Sequence, residues 1–585
     1  MSSRIVALRL VALIAAALIV LRLMDLQVLR GGRFRELAEH NRLRAVPELA
    51  PRGLIVDRRG EILAANQTVF RVAIIPQEVD ELQPVLAHVS HVVGVPVDEL
   101  SRQLSLRRSL PFVPATIVPQ IPKPLALRLE EDRLHLPGLL VRPETVRAYP
   151  QRRVAAHLLG YLGRPQPEDL PVLKEYGVRA EHLIGRTGLE QAFDAYLRGR
   201  AGGAMVEVDH RARRVRTIGQ RPAEPGQTLT LTIDASLQAL IEEAFGSQPG
   251  AAVVLDPRSG EVLALVSVPS FNPAAFIGGS SREVQGYLSD PRSPLLNRAT
   301  VGTYTPGSIA KVITAIAALE HGVITPATTI VCRGSLRIGD RTFFCWNRDG
   351  HGPMTVVDAI RGSCNVFFMQ VGRWLGVERL TDAMWTVGWG RRTGWLLEEH
   401  AGLLPGRRLT EGEAAMLAIG QGELLITPMQ AALLASTVAN GGWLVKPWVV
   451  SAIGDRRTAK ISTQRLRWSP ETFEIIQRGM RQAVVHPEGT AFRASASRVP
   501  VAGKTGTAQT HLVERPHGWF IGYCPADAPR VAMAIVWEHG GSGGDLPTEI
   551  ARAICDYIGA VSEPDRLVPD TASRPTATAA PSPSG

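Results

Sequence analysis

The hydrophobic pattern begins with one continuous apolar run near the N-terminus. Leu10–Leu21 contains twelve apolar residues without interruption, which is shorter than the roughly 20 residues that cross a bilayer. If the Arg9 and Arg22 side chains extend toward the two membrane surfaces, the span lengthens to about Ile5–Leu26. No small-residue cleavage site follows, so the pattern favours a retained single-pass anchor over a cleaved signal peptide. Arginines flank both ends, and charge therefore does not settle the orientation.

Periodic apolar positions further along the chain predict hairpins, buried strands and helices. Residues 52–64 and 251–267 each place two β-type runs around a turn that contains glycine. Buried strands are predicted at 518–523 and 531–537, and helices at 308–321, 366–375, 428–439, 471–485 and 548–558. Strands at both ends with helices between them predict an α/β (α+β) fold, in which one antiparallel sheet carries a mainly helical insertion.

Shifts in composition divide the 585 residues into four parts. Residues 1–30 hold a short segment and the anchor, and residues 31–228 are predicted to form one domain. Within it, residues 65 to about 220 show no obvious catalytic cluster and suit a scaffold or partner-binding role. The proline-containing stretch 222–226 precedes a second domain predicted at 229–560. Residues 561–585 are rich in Pro, Ser, Thr and Ala without apolar periodicity and are predicted to be disordered.

The charge of the chain is basic, and it is carried almost entirely by arginine. The net charge is +10, and only six of the 65 basic residues are lysines. The arginines are scattered and no nucleic-acid-binding motif is present, so nucleic acid is not predicted as a partner. A surface facing water, anionic lipid or cell-wall polymer fits the charge better. A buried lysine can lose its proton, whereas an arginine cannot, so the few lysines are candidate bases.

One of these lysines follows a serine by three residues. Ser308 comes directly after the helix-breaking Thr305–Gly307 and opens an apolar helix, and Lys311 lies one turn further on the same face. The free N–H groups of a helix start suit a serine that attacks a carbonyl, because they can stabilise the oxyanion. By itself the pattern is weak, since a serine often caps a helix and a lysine often faces solvent.

Two further segments carry polar groups that fit the same chemistry. Ser363-Cys364-Asn365 lies between two predicted helices and offers a hydroxyl and an amide. The segment that contains Lys504, Thr505, Gly506 and Thr507 is predicted on an edge strand, where the glycine admits a substrate backbone and the lysine and hydroxyls suit a carboxylate. Taken separately, these are an ordinary turn and an ordinary strand.

The three motifs together, in this order, resemble those of penicillin-binding proteins and serine β-lactamases. The chain resembles a class B penicillin-binding protein of the elongation type over roughly residues 10–558. Further segments that resemble family signatures are Arg52–Ala64, Gly185–Glu190, Leu229–Asp234, Pro294–Arg298, Cys345-Trp346, Gly350–Gly352 and Gly420–Gly422. The resemblance implies a transpeptidase domain, an elongated pedestal domain of the dimerisation type and an N-terminal transmembrane helix, with the catalytic domain outside the cytoplasm.

The resemblance also implies a role for each motif residue. Ser308 attacks a D-Ala-D-Ala stem peptide or a β-lactam, Lys311 takes the proton and Ser363 relays it. The remaining residues bind substrate: Asn365, Lys504, Thr505, Gly506 and Thr507. The family further implies a SEDS-type glycosyltransferase in the membrane as a partner, contacted by the anchor and by residues 31–228.

The residues leave some alternatives open and disfavour others. A class A β-lactamase is disfavoured because no Glu-x-x-x-Asn pattern lies between Asn365 and Lys504. A bifunctional synthase is disfavoured because residues 30–230 show no glycosyltransferase acid motif. A division-type transpeptidase and a non-catalytic scaffold or β-lactam sensor on the same fold remain as alternatives.

The five cysteines are too few for a disulfide scaffold, and their odd number leaves at least one unpaired. Cys332 and Cys345 are predicted on a surface loop before Ser363. Two free thiols, a disulfide between them, and a zinc site that includes His351 all remain open. No cofactor is predicted, and Cys364 is expected to be a small packed residue.

Overall fold

The computed structural model describes the chain from residue 2 to residue 561 with internal gaps. The described residues are 2–32, 43–48, 50–107, 114–169, 171, 183–208, 214–278, 281–406, 409–458, 461–509 and 515–561. The predicted disordered tail falls outside them except for Val561.

The N-terminal apolar run forms one long helix, α1 (Ser2–Met24), which continues into a π-helical turn at Asp25–Leu29. Its side chains are exposed along most of its length. By length and composition, Ile5–Leu29 is a candidate membrane span with a mean hydropathy of 2.5. The span overlaps the predicted one, and at its C-terminal end Asp25 pairs with Arg22 and Arg30.

The N-terminal region after the anchor is built around one long strand. Its strands are β1 (Leu43–Glu48), β2 (Ile55–Val56), β3 (Ile62–Ile74), β4 (Ala115–Ile121), β5 (Leu139–Ala148), β6 (Leu162–Gly163), β7 (Ile184–Gly185), β8 (Gly202–Val208) and β9 (Arg214–Arg221). Its helices are α2 (Leu82–Val93), α3 (Val97–Arg107), α4 (Lys123–Glu131), α5 (Ala156–Leu159), α6 (Gly188–Ala192) and α7 (Asp194–Leu197). Strand β3 pairs with β2, β4 and β5, and helices α2 to α4 share a separate apolar core with β3 and β4. The predicted hairpin at 52–64 is the β2–β3 pair.

The C-terminal region contains the predicted antiparallel sheet and its helical insertion. Its strands are β10 (Leu229–Leu231), β11 (Gly250–Leu255), β12 (Val262–Val268), β13 (Ile330–Cys332), β14 (Ser335–Ile338), β15 (Arg341–Phe344), β16 (Gly352–Met354), β17 (Trp443–Val445), β18 (Val450–Ile453), β19 (Arg456–Arg457), β20 (Thr463–Arg465), β21 (Ala502–Ala508), β22 (His517–Cys524) and β23 (Val531–Trp537). Its helices are α8 (Ala235–Phe245), α9 (Ala275–Gly278), α10 (Ser281–Ser289), α11 (Ala310–Glu320), α12 (Val356–Arg361), α13 (Asn365–Leu375), α14 (Val377–Thr386), α15 (Glu411–Leu417), α16 (Pro428–Ala439), α17 (Pro470–Val485) and α18 (Leu546–Ala560).

The central sheet has the strand order β12-β11-β23-β22-β21, and each neighbouring pair is antiparallel. Strands β11, β12, β22 and β23 are almost entirely buried because helices cover both sides of the sheet: α8 and α18 share one core with it, and α11 and α16 share the other. Helix α16 is buried throughout and begins at a Thr427–Gln430 capping box. Strand β21, which carries the Lys504 motif, lies at the sheet edge as predicted.

The two regions meet at the hairpin that opens the N-terminal one. Strand β10 pairs in parallel with β2 and antiparallel with β18, so it joins strands from both regions. In the hairpin turn, Arg59 lies 3.0 Å from Asp234, and the Asp57 carboxylate accepts the Ala235 N–H. The predicted division near residue 229 therefore falls on a shared strand, and it remains a prediction.

Candidate active site

The serine of the first motif lies on a tight turn before a buried helix. Ser308 is the middle residue of a 3₁₀ turn, Gly307–Ile309, that leads directly into α11. Gly307 has φ +56°, and a Cβ on it would lie 2.7 Å from the carbonyl oxygen of Thr507. The Gly307 N–H donates to the carbonyl of Gly420 at 3.0 Å. The glycine thus lets the serine turn rest between the edge strand and the helical insertion.

Lys311 is fully buried and reaches the second motif. Its Nζ donates to the Ser363 carbonyl at 2.8 Å, to the Ser363 Oγ at 3.2 Å and to the Asn365 Oδ1 at 2.6 Å. Within the described part of the chain, none of the hydrogen bonds of this amine goes to Ser308. Catalytic hydrogen bonds often tighten only when substrate binds, so this geometry leaves the predicted proton transfer open.

The environment of Lys311 destabilises its charged form. Burial lowers its pKa from 10.5 to about 8, because a charged ammonium loses its hydration there. The sulfurs of Cys364 and Cys345 oppose this shift. Burial is therefore the cause that lowers the pKa of this lysine.

The second motif holds a strained backbone position. Ser363 has φ +51° between α12 and α13, in the left-handed region that favours glycine. Its carbonyl accepts both the Lys311 amine and the Trp346 Nε1, the latter at 3.2 Å. The Cys364 side chain caps α13 by accepting the Phe367 N–H. Strain of this kind costs of order 1–3 kcal/mol and is characteristic of functional sites.

The third motif places a second buried lysine on the edge strand. The Nζ of Lys504 donates to the Thr505 carbonyl at 2.8 Å. Burial, reinforced by the charge of Lys311, lowers the pKa of Lys504 well below its usual value. A Cβ on Gly506 would lie 3.0 Å from both Ile309 and the Pro306 carbonyl. In this structure, Gly506 therefore lets the serine turn pack closely against the edge strand.

The two threonines of this motif differ in exposure, and one has a partner that the sequence did not reveal. Thr507 is exposed, whereas Thr505 is 6% exposed. The Thr505 hydroxyl forms a 2.7 Å hydrogen bond with the hydroxyl of Thr490, which precedes β21 by 12 residues. None of the three sequence motifs includes Thr490, because an isolated threonine in a Gly-Thr pair carries no recognisable signal.

The structure corrects the predicted surface position of Cys332 and Cys345 and distinguishes between the states considered for them. Cys332 and Cys345 are buried rather than on a surface loop, and they are free thiols, so the disulfide considered between them is wrong. A disulfide instead joins Cys524, at the end of β22, to Cys555 on α18. Both partners face the same apolar core, which brings residues 31 apart in sequence together.

The remaining cysteines form a cluster beside the second motif. Ligand atoms of Cys332, Cys345, His351 and Cys364 all lie within 4.8 Å of one another. The His351 Nδ1 is 3.5 Å from the sulfurs of both Cys332 and Cys345. A tetrahedral zinc with Zn–S near 2.3 Å and Zn–N near 2.0 Å places sulfur and nitrogen about 3.5 Å apart. The donor set and its spacing therefore fit a structural Cys₃His zinc site.

Comparison with known proteins places the site in a class. Residues 250–556 match the family model for the penicillin-binding protein transpeptidase domain, and residues 47–231 match that for the penicillin-binding protein dimerisation domain. Together with the fold and the two buried lysines, these matches define a penicillin-binding transpeptidase domain that follows a dimerisation domain.

Relatives match along nearly the whole chain. Peptidoglycan D,D-transpeptidase MrdA of Haemophilus influenzae is 32% identical over 91% of this chain and 88% of its own length. The Escherichia coli MrdA is 31% identical over 93% of this chain and 92% of its own length. The structure of PBP2 in complex with MreC from Helicobacter pylori matches with a TM-score of 0.77 at 27% identity, over 88% of this chain and 99% of that one. The chain belongs to the family of penicillin-binding protein transpeptidases, which confirms the resemblance.

Proposed function

We propose that the chain cross-links peptidoglycan stem peptides through an acyl-enzyme on Ser308. The family and the D,D-transpeptidase relatives support the reaction class. The observation that carries the assignment to residues is Lys311: it is fully buried, its pKa is lowered, and it lies one turn after Ser308 in contact with the second motif. A lysine held in this way is poised as a general base.

Acylation follows from these positions. Neutral Lys311 accepts the Ser308 hydroxyl proton as Oγ attacks the carbonyl carbon of the penultimate D-Ala. The backbone N–H groups of Ser308 and Thr507 stabilise the oxyanion, since the serine turn lies against β21. The C–N bond then breaks, and the proton passes from Lys311 through the Ser363 hydroxyl, 3.2 Å away, to the departing D-Ala amine.

Substrate binding involves the edge strand and the second motif. Lys504, Thr505 and Thr507 bind the terminal carboxylate of the donor peptide, and Asn365 holds the stem peptide. Gly506 keeps the strand close to the serine turn. An amine of the acceptor strand then attacks the acyl carbon, forms the new amide and frees the Ser308 hydroxyl. β-Lactams react by the same first step and remain attached.

The test is the site of a penicillin adduct. The purified full chain is incubated with a fluorescent penicillin, and the adduct is located by intact mass and peptide mapping. A stable adduct on Ser308 that is lost in Ser308→Ala supports the assignment. The matched control Ser335→Ala, an exposed serine on β14, keeps the adduct. No adduct, an adduct elsewhere, or rapid turnover characteristic of a β-lactamase would contradict the proposal.

We also propose that Cys332, Cys345, Cys364 and His351 hold a zinc ion. When bound, the ion would cross-link the β13–β16 region to the start of α13. Metal analysis of the purified full chain is expected to give about one zinc per chain, and His351→Ala is expected to lower both the zinc content and the melting temperature. An unchanged zinc content in that variant would contradict the proposal. A wild type that purifies without zinc, and whose melting temperature does not change when chelator is added, would also contradict it.

The cellular setting follows from the anchor and the relatives. The chain has a candidate membrane-spanning helix and belongs to a family of penicillin-binding proteins, and we propose that its catalytic domain lies on the outer side of the inner membrane. The similarity to MrdA and PBP2 supports the elongation role over the division-type alternative.

We propose further that a SEDS-type glycosyltransferase contacts the anchor and the N-terminal region. One matching structure is described as a peptidoglycan synthase complex that coordinates polymerisation and cross-linking. Co-purification of the full chain with such a partner, lost on replacing α1 by an unrelated membrane helix, would support this contact, and retention would contradict it.

A further inference from the structure

A half-buried carboxylate contacts the segment that leads into the serine turn. Glu538 directly follows β23, and its Oε1 accepts a hydrogen bond from the Tyr304 hydroxyl at 2.6 Å. Its Oε2 lies 3.0 Å from the Nε of Arg298. Tyr304 is 5% exposed and Arg298 is 3% exposed, and both belong to the segment that leads into Ser308.

Tyr304 contacts the helical insertion and the sheet at the same time. Its backbone N–H and C=O both pair with Ile426 at 2.9 Å. Its ring packs edge-on against His517 and Trp519 of β22. Burial, together with the charge of Glu538, raises the pKa of Tyr304 well above its usual value, so the hydroxyl stays a hydrogen-bond donor. A residue four positions before Ser308 therefore couples the insertion to the sheet.

The neighbouring contacts show what this coupling controls. The Trp519 Nε1 donates to the Thr305 carbonyl at 3.0 Å, and Gly307 lies against the Thr507 carbonyl. The segment 304–307 is thus held on the sheet at several successive residues. Its position sets the spacing between the backbone N–H groups of Ser308 and Thr507, and a shift of about 1 Å in a reacting group can lower a rate about 100-fold.

We propose that Tyr304 is a positioning residue for acylation: through Glu538 it fixes the serine turn against the Lys504–Thr507 strand. This inference rests on the proposed role of Ser308 as the nucleophile. Tyr304 acts through Ser308, so its loss is expected to affect the acylation step rather than the initial binding of a β-lactam.

Tyr304→Phe tests this, because it removes the hydroxyl and keeps the ring. Stopped-flow mixing of the full chain with a fluorescent penicillin separates the acylation rate constant k2 from the dissociation constant Ks. We expect k2 to fall about tenfold or more, with Ks changed less than about twofold. The matched control is Tyr287→Phe, which removes another Tyr–Glu hydrogen bond of 2.6 Å, to Glu283 within α10, and is expected to leave k2 unchanged.

A second variant keeps the test decisive if Tyr304→Phe loses stability. Glu538→Asp retains the charge near Arg298 but withdraws the carboxylate from the tyrosine, and it is expected to lower k2 as well. Adding Tyr304→Phe to it is expected to lower k2 no further, because the two residues act as one unit.

Two outcomes would overturn the inference about Tyr304. A k2 within twofold of wild type, with or without a lower melting temperature, would reduce Tyr304 to a structural residue and overturn the inference. An equal loss in Tyr287→Phe would do the same. Failure of the wild type to form the Ser308 adduct would instead refute the proposed function, so the two failures are distinguishable.

Discussion

The acylation rate of Ser308 is expected to rise with pH as Lys311 titrates. Burial lowers the pKa of Lys311 to about 8. The base must be neutral to accept the serine proton, so the active fraction increases as the pH rises through this pKa. About one-eleventh of the lysine is neutral one pH unit below the pKa and about ten-elevenths one unit above it. Acylation is therefore expected to accelerate about tenfold between roughly pH 7 and pH 9.

The assay is stopped-flow measurement of k2 with a fluorescent penicillin across this pH range. Lys311→Arg is the informative variant, because a guanidinium keeps its proton. It is expected to lose about 100-fold or more in k2, the usual contribution of a general base. Lys446→Arg, at an exposed lysine, is the matched control and is expected to keep both the rate and the pH profile.

Two results would refute the reasoning. A wild-type k2 that is flat or falls between about pH 7 and pH 9 would show that the neutral amine is not the base. A Lys311→Arg variant that retains the wild-type rate would show that the residue supplies only positive charge. Either result would require another proton acceptor near Ser308. Neither would alter the description of the fold.

Three further predictions concern the support of the site. Gly307→Ala is expected to cost about 1–3 kcal/mol in thermal unfolding and to lower k2, because φ is +56° and its Cβ would meet Thr507; an unchanged k2 would contradict this. Replacing Cys524 and Cys555 by serine is expected to cost about 3–4 kcal/mol in denaturant unfolding, given their separation of 31 residues, and an unchanged midpoint would refute it. Thr490→Val is expected to raise Ks about fivefold by removing the Thr505 partner, and an unaltered Ks would exclude that role.

Local sequence patterns predicted the elements that carry the chemistry. The hairpin at 251–267 and the helix at 428–439 follow from apolar runs and turn residues, and both are present. Ser308 at a helix start and Lys504 on an edge strand were also predicted, since a glycine break and an apolar periodicity are local signals. The order of the three motifs, through the family resemblance it carries, then predicted that they form one site.

Contacts between distant segments could not be predicted in the same way. Thr490 beside Thr505 and Glu538 beside Tyr304 arise only when the insertion folds onto the sheet. The disulfide between Cys524 and Cys555 could not be predicted for a related reason: sequence spacing does not determine which cysteines pair. The nearest candidate pair, Cys332 and Cys345, belongs to a four-residue cluster with His351 and Cys364 instead.

The most direct test of the central claim is the transpeptidation reaction itself. The full chain is supplied with uncross-linked peptidoglycan, and D-alanine release and cross-linked product are measured together. We expect one D-alanine for each cross-link, with both products lost in Ser308→Ala and retained in Ser335→Ala. Cross-links that persist in Ser308→Ala, or D-alanine released without cross-links when acceptor amine is abundant, would contradict the account.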